Sequence, residues 1–241
     1  SAANSLVSID WSTDTEEYQT LHSSPKLAYG KVAGAYDAFL AFTGFKRGVK
    51  NFLSRLQFDL PPRARILDAG CGTGLVACYL ADRFPEAEIC AFDIDTDMLR
   101  AMARRVAEQG LAKRNILLAH GNLQKPGHLR MLKTQEPVLI PNGYFDAIFV
   151  SGALEHVPLA ETLPKLARLL KPGGMLLNIS VKRNPAGAVL GMVYRFRPYR
   201  LAELRQAFSD AGLQEIRTLR LSVEDFPANL SRIAILARKV A

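Results

Sequence analysis

Three glycines alternate with other residues in one short segment of the sequence, and a carboxylate precedes them. The segment reads "DAGCGTG", with Asp68 first and Gly70, Gly72 and Gly74 at alternate positions. It follows the apolar run "RIL" and precedes a helical pattern of apolar residues, so it falls at a strand-to-helix turn. At such a turn a ligand can lie against backbone N–H groups at the amino end of the helix. These residue types therefore predict a ligand site.

The spacing of the glycines and the positions of two carboxylates indicate the kind of ligand. The glycines follow GxGxG, whereas dinucleotide folds that bind a pyrophosphate have GxGxxG. A carboxylate at Asp68 would repel a pyrophosphate and attract a cationic amine. Asp93 closes the next apolar run, about 20 residues past the loop, where a carboxylate can accept hydrogen bonds from both ribose hydroxyls. Although Asp93 could instead cap a helix, Asp95 and Thr96 are better placed for that, so a cationic ligand with a ribose is expected rather than NAD.

The rest of the pattern predicts the fold that must position these residues. Apolar residues recur at three- and four-residue steps over residues 33–60, as in amphipathic helices, and residues 1–25 are polar without a clear period. Short apolar runs then alternate with helical segments, which predicts a Rossmann-like, doubly wound α/β fold with a mostly parallel sheet of seven strands. The last two strands lack an intervening helix, so they should pair antiparallel. In such a sheet, ligands bind beyond the carboxyl ends of the strands, where strand order reverses.

Composition bounds the class of protein. The chain has 241 residues, of which 49% are hydrophobic, and no apolar run approaches the roughly 18 residues that predict a membrane span. Its three cysteines include no CxxC pair and its four histidines have no metal-binding spacing, so free buried thiols and no metal site are expected. The first residues lack the basic start and hydrophobic core of a signal peptide, which predicts a cytoplasmic location.

The net charge of +8 is unevenly distributed. Residues 45–65 carry six basic side chains against one acid, and residues 171–205 carry seven against one. Such patches can attract nucleic acid, anionic lipid headgroups or an acidic small molecule, although a solvated helix face accounts for them equally well.

Four segments, in order along the chain, resemble the class I S-adenosylmethionine-dependent methyltransferases. They are "ILDAGCGTG", "AFDIDTDML", "FDAIFVSGALEHVP" and "LLKPGGMLLNIS", which together span about residues 66–180. The earlier segment "KVAGAYDAFLAFTGFKRGVKNFL" is similar to the first helix of the ubiquinone/menaquinone-type group, although that group has RNV where this chain has "EHV". The resemblance implies that S-adenosylmethionine is the cofactor and S-adenosylhomocysteine the product.

The resemblance also implies roles for individual residues. Asp68 would hold the loop and contact the amino group of the cofactor, while Asp93 would accept the ribose hydroxyls. Ile94 and Met98 would flank the adenine, and Asn122 stands where the family often has an aspartate that accepts from the adenine amino group. The cofactor contacts implied in this way are Asp68, Gly70, Cys71, Gly72, Gly74, Asp93, Ile94, Met98, Asn122, Leu123, Ser151 and Gly152.

Methyl transfer is an in-line displacement, so alignment of the reacting atoms can supply much of the catalysis. A base is needed only if the acceptor must lose a proton. His156, with Glu155 beside it, is the candidate, since imidazole titrates near neutral pH. The alternative is that "EHVP" is a structural turn and that His156 only lines the pocket.

The acceptor should be determined by the segments outside the shared core. The resemblance divides the chain into an amino-terminal arm, residues 1–32, and a methyltransferase domain, residues 33–241, with a helical cap over 33–60 and an insertion at 182–200 over the active site. That insertion mixes apolar and basic residues, as expected either for a pocket cover at an anionic membrane surface or for a plain surface helix. The predicted acceptor contacts are Tyr36, Tyr194 and Arg197.

These observations predict a methyltransferase acting on a small-molecule or lipid-like acceptor, which could be quinone-like or anionic. A peripheral contact with an anionic membrane at its inner face is part of this expectation. One alternative is a methyltransferase of RNA or other nucleic acid, which the basic charge favours. However, "SGAL" replaces the Pro-containing motif of base-amine methyltransferases. The other alternative is a non-catalytic protein that binds S-adenosylmethionine.

Overall fold

The computed structural model describes residues 44–110 and 116–241. The described helices are α1 Phe45–Arg55, α2 Leu75–Arg83, α3 Thr96–Glu108, α4 Leu159–Leu169, α5 Pro185–Tyr194, α6 Leu201–Asp210 and α7 Ala228–Ser231. The strands are β1 Arg65–Ala69, β2 Glu88–Asp93, β3 Ile116–Gly121, β4 His128–Met131, β5 Pro137–Leu139, β6 Phe145–Ser151, β7 Leu170–Val181, β8 Leu213–Arg220 and β9 Arg232–Lys239. Short 3₁₀ helices span Leu154–His156 and Val223–Asp225.

The described strands form one sheet in the order β5-β4-β3-β2-β1-β6-β7-β9-β8. Strands β3, β2, β1, β6 and β7 run parallel, and β9 lies antiparallel between β7 and β8. The predicted Rossmann-like fold and the antiparallel pairing of the last two strands are therefore confirmed. Strand order reverses between β1 and β6, so the carboxyl ends of these two strands form the crevice in which such folds bind ligands.

The sheet has nine strands where the sequence predicts seven. The two additional strands, β4 and β5, lie in the long segment between β3 and β6 and extend the sheet antiparallel beyond β3. They contain four and three residues, which is too short for an apolar period to be read from the sequence.

Helices cover both faces of the sheet. Helices α1, α2 and α3 pack on one face of the sheet, and α4 and α6 pack on the other. Each face of the sheet has its own apolar core. Within β1, Ile66 faces the first core and Leu67 the second, as expected for a central parallel strand buried on both sides. By the same alternation Asp68 lies on the face that α2 covers.

Helix α1 is the described part of the predicted helical cap over residues 33–60. Arg55 at its end donates to Asp225 through Nη1 at 2.6 Å, and the Asp225 side chain is fully buried. Gly48 allows the helix to approach this segment, since an added Cβ atom would collide with the carbonyl oxygen of Asp225. The predicted arm at residues 1–32 and the start of the cap lie outside the described residues.

Candidate active site

The glycine loop between β1 and α2 leaves bare backbone at the sheet edge. Gly72 has φ +54°, and a Cβ atom added there would have no neighbouring atom within 4 Å. Gly74 has φ +87°, but a Cβ atom there would lie 2.6 Å from Cγ of Met102. Both conformations favour glycine, yet only the first of these residues faces open space. A ligand can therefore approach the backbone at Gly72.

Asp93 links this loop to the end of β2. Its Oδ2 accepts a hydrogen bond from the Gly72 N–H at 2.8 Å, and its Oδ1 accepts from the Asp95 N–H at 2.9 Å. Each carboxylate oxygen can accept two hydrogen bonds, so both retain capacity for the hydroxyls of a ribose. Burial raises the pKa of the Asp93 carboxyl, and the hydrogen bonds from backbone N–H groups offset part of that rise. Asp95, rather than Asp93, caps α3, since it accepts from Asp97 and Met98 N–H groups.

Asp68 lies beneath the loop. Its side chain is 1% exposed, and its Oδ2 accepts from the Ala77 N–H in the first turn of α2 at 3.1 Å. Since Gly74 at the start of α2 has no side chain to cap the helix, Asp68 satisfies one of its free N–H groups from the neighbouring strand. Burial raises the pKa of the Asp68 carboxyl to about 7. Its contact with the amino group of a ligand stays a prediction.

The ends of β2 and β3 supply apolar side chains next to Asp93. Ile94 is 61% exposed, and its carbonyl oxygen lies 2.9 Å from Nε2 of His120. Met98 is half-buried on the first turn of α3, and Asn122 follows β3 with its Oδ1 accepting from the Gln124 N–H at 2.9 Å. Because these parallel strands end at one edge, the structure brings together the residues predicted to hold an adenine, with Leu123 buried behind them.

His120 was not predicted from the sequence as part of this region. It lies opposite Asp93 in the β2–β3 register, and its ring fixes the carbonyl group of Ile94. The sequence signal that could have found it is its place at the end of β3, next to the predicted ribose carboxylate.

The other wall of the crevice is the end of β6. Ser151 and Gly152 are half-buried there, and a Cβ atom added at Gly152 would have no neighbouring atom within 4 Å. The remaining predicted loop residues, half-buried Gly70 and buried Cys71, both donate N–H groups to the Phe92 carbonyl oxygen at 2.9 Å. Open backbone at both strand ends, a carboxylate with free lone pairs and an exposed apolar side chain fit a ribose-bearing cofactor.

Glu155 and His156 occupy the 3₁₀ helix that follows β6. The His156 ring is exposed and contacts Phe196 edge to face, with ring centroids 5.1 Å apart. Glu155 is 7% exposed; its Oε1 accepts from the Val181 N–H at 2.7 Å, and its Oε2 is buried with no hydrogen-bond partner in the described part of the chain. Burial raises the pKa of the Glu155 carboxyl. Glu155 therefore ties the segment that carries His156 to the end of β7.

The predicted acceptor residues lie in the segment after β7 or outside the described residues. Tyr194 ends α5 and is 42% exposed, and Arg197 is exposed just beyond it. Phe196 between them reaches His156, and the Tyr199 hydroxyl donates to the Val157 carbonyl oxygen at 2.8 Å. Tyr36 lies outside the described residues.

The described side chains include no cluster of three or more His, Cys, Asp or Glu residues that could hold a metal ion. Cys71, Cys78 and Cys90 are free and buried, and burial raises the pKa of the Cys90 thiol to about 12. Buried thiols with a raised pKa are poor nucleophiles, so these cysteines serve as packing residues.

Comparison with known proteins identifies the family. Residues 66–174 match the family described as "Methyltransferase domain". The demethylmenaquinone methyltransferase of Thermus thermophilus is 34% identical over 185 residues, covering 76% of this chain and 76% of that protein. The malonyl-[acyl-carrier protein] O-methyltransferase of Laribacter hongkongensis is 29% identical over 196 residues, covering 81% of this chain and 58% of that protein.

Solved structures share the fold. Geranyl diphosphate C-methyltransferase from Streptomyces coelicolor A3(2), in complex with Mg²⁺, geranyl-S-thiolodiphosphate and S-adenosyl-L-homocysteine, matches with a TM-score of 0.64 at 15% identity. The match covers 80% of this chain and 76% of that one. Together with the glycine loop, these similarities show that the chain belongs to the class I S-adenosylmethionine-dependent methyltransferases, and that it is similar to members named for small-molecule acceptors.

Proposed function

We propose that this enzyme methylates an apolar, lipid-like small molecule bound between the end of β6 and the segment that follows β7. The observation that carries the proposal is the contact of Phe196 with His156. Through it, a segment rich in apolar and basic residues lies against the loop that follows β6, on the acceptor side of the crevice.

The cofactor occupies the opposite side in this proposal. Asp93 accepts its ribose hydroxyls, Ile94 and Met98 flank its adenine, and the backbone at Gly72 and Gly152 lies against the rest. The open space at both glycines and the free lone pairs of Asp93 support these roles. When bound, S-adenosylmethionine supplies a methyl group on a positively charged sulfur.

Catalysis then requires the chain to orient the acceptor and, where the acceptor must lose a proton, to take that proton. His156 is the proposed proton acceptor, since its ring is exposed on the acceptor side and Phe196 restricts its orientation. Glu155 positions it by holding the 3₁₀ helix to Val181. Alignment of acceptor and methyl group supplies the rest of the rate enhancement.

The acceptor class follows from the chemistry of the segment at residues 182–200. Tyr194 offers a ring and Arg197 a guanidinium group, which together suit an apolar body with an electron-rich or anionic group. The relatives' names include demethylmenaquinone and malonyl-[acyl-carrier protein], and the ring of Tyr194 favours the quinone-like class because a flat apolar body can pack against it. An acceptor of this kind partitions into membranes, so peripheral contact with the inner face of an anionic membrane belongs to the proposal.

The test is transfer of a radiolabelled methyl group from S-adenosylmethionine to a panel of acceptors. The panel comprises short-chain naphthoquinols and benzoquinols, a malonyl thioester, and total RNA. We expect label in the organic phase with a quinol, and loss of that label in His156→Gln without a change in S-adenosylhomocysteine affinity. Label in the thioester or in RNA alone would overturn the proposed acceptor class.

A further inference from the structure

An exposed apolar surface lies on α5, next to the proposed acceptor site. One side of α5 is closed by the chain segments that flank it, because a Cβ atom added at Gly187 would collide with the Lys182 carbonyl oxygen and one added at Gly191 with that of Phe196. Away from these glycines, Val189 is 54% exposed and Met192 is 75% exposed. An apolar helix therefore packs through its glycines and presents larger apolar side chains to solvent.

The segment around α7 lies beside the start of α5 and also exposes apolar side chains. Lys182 donates from Nζ to the Asn229 carbonyl oxygen at 2.5 Å, and Asn184 donates from Nδ2 to the Leu230 carbonyl oxygen at 2.8 Å. Leu230 is 50% exposed there and Phe226 56%. We call the set Val189, Met192, Phe226 and Leu230 the apolar surface.

Basic residues flank this surface. Residues 182–200 contain five basic side chains and no acid. The nearby acidic side chains have partners of their own. Glu203 accepts from the Arg200 N–H, Asp225 is buried against Arg55, and the exposed Glu224 lies 3.9 Å from Arg55. The charge complement of this surface is therefore anionic.

The geometry restricts the occupant further. Helix α5 has 10 residues, or about 15 Å, which is half the hydrocarbon thickness of a bilayer. No helix in residues 44–110 and 116–241 has the length and apolar run needed to cross a membrane. A second copy of the chain would bring two sets of five basic side chains together, which is unfavourable. A short apolar helix with a basic border fits the interface of an anionic membrane.

We propose that the apolar surface docks on an anionic phospholipid bilayer and brings the acceptor site to the lipid phase. The apolar side chains insert at the headgroup boundary, and Arg183 and Arg195 lie among the headgroups. The docking deepens the membrane contact of the proposed function by naming the surface that makes it, and the delivery of acceptor rests on that function.

The experiment is sedimentation of the full chain with sucrose-loaded vesicles of phosphatidylcholine, with or without an equal part of phosphatidylglycerol. We expect binding to the anionic vesicles alone. Val189→Gln with Met192→Gln should weaken it about tenfold by loss of apolar burial. Arg183→Gln with Arg195→Asn should weaken it about 25-fold, about fivefold for each charge; asparagine suits the left-handed backbone of Arg195.

Matched controls remove the same groups elsewhere. Leu139→Gln removes an exposed leucine on β5, and Arg104→Gln with Arg217→Gln removes two exposed charges. Controls that lose binding as strongly as the surface variants, or equal binding to neutral vesicles, would overturn the proposal. A dimer in size-exclusion chromatography that the Val189 and Met192 substitutions convert to monomer would assign the surface to a second copy and overturn it as well.

Methyl transfer to a water-soluble short-chain quinol separates the two proposals. Docking variants that retain this activity and lose vesicle binding support the docking surface. Vesicle binding without methylation of any quinol would leave the docking surface in place and overturn the acceptor class alone.

Discussion

The carboxyl group of Glu155 and the backbone N–H of Val181 form a buried hydrogen bond of 2.7 Å between the 3₁₀ helix after β6 and the end of β7. The second oxygen of that carboxyl has no partner within the described residues. A buried, half-satisfied carboxyl costs stability, and the bond to Val181 offsets part of that cost while it joins the His156 segment to β7. The proposed role of Glu155 is therefore to position His156.

Replacing Glu155 by alanine and by glutamine tests this role. Glu155→Ala leaves the Val181 N–H unpaired and should lower the free energy of unfolding by about 1–3 kcal/mol, whereas Glu155→Gln retains an acceptor oxygen and should fold like the wild type. If Glu155 positions His156, Glu155→Ala should also lower kcat for a quinol with KM nearly unchanged, and Glu155→Gln should restore it. The exposed Glu161 on α4 provides the control Glu161→Ala; equal effects there would contradict the role.

The two bonds of Asp93 predict a loss of cofactor affinity on its removal. Asp93→Ala removes the acceptor for both a ribose and the Gly72 N–H, and a hydrogen bond to a charged group contributes about 1.5–3 kcal/mol. S-adenosylhomocysteine should therefore bind about 10- to 150-fold more weakly in calorimetric titration. Asp82→Ala, an exposed carboxylate on α2, should leave the dissociation constant unchanged. Undiminished affinity in Asp93→Ala would remove the ribose assignment.

An alanine substitution at Gly72 can be compared with one at Gly212 to separate backbone strain from occlusion of the cofactor site. Both Gly72 and Gly212 have positive φ and open space where a Cβ atom would lie, so alanine at either position costs similar conformational energy. Only Gly72→Ala places a methyl group in the proposed cofactor site. Both variants should lose similar stability in urea unfolding, and only Gly72→Ala should weaken S-adenosylhomocysteine binding. Equal affinities in the two variants would place the ligand elsewhere.

The fold was readable from the sequence because each long strand and helix carries its own apolar period. The pair β4 and β5 was not, since three or four residues show no period and their place is set by pairing with β3. The bond from Glu155 to Val181 joins residues 26 apart in sequence, and only the finished sheet brings them together. Spacing could therefore indicate His156 as a candidate without showing what orients it.

Asp68 predicts a pH dependence of stability of defined sign. Its pKa in the folded protein is about 7 because it is buried, whereas an exposed aspartate has a pKa of about 3.9. Between these values the folded state binds more protons than the unfolded state, so the free energy of unfolding should fall as pH rises, by at most about 1.4 kcal/mol per unit. Above pH 7 this contribution levels off.

Asp68→Asn isolates this contribution. The amide oxygen can still accept from the Ala77 N–H, and all other titrating groups are common to both proteins. The difference in unfolding free energy between the variant and the wild type, measured in urea at several pH values, should grow in favour of the variant from pH 5 to pH 7 and then stay constant. Parallel curves would mean that the Asp68 carboxyl keeps its ordinary pKa, and would argue for solvent or a ligand group beside it.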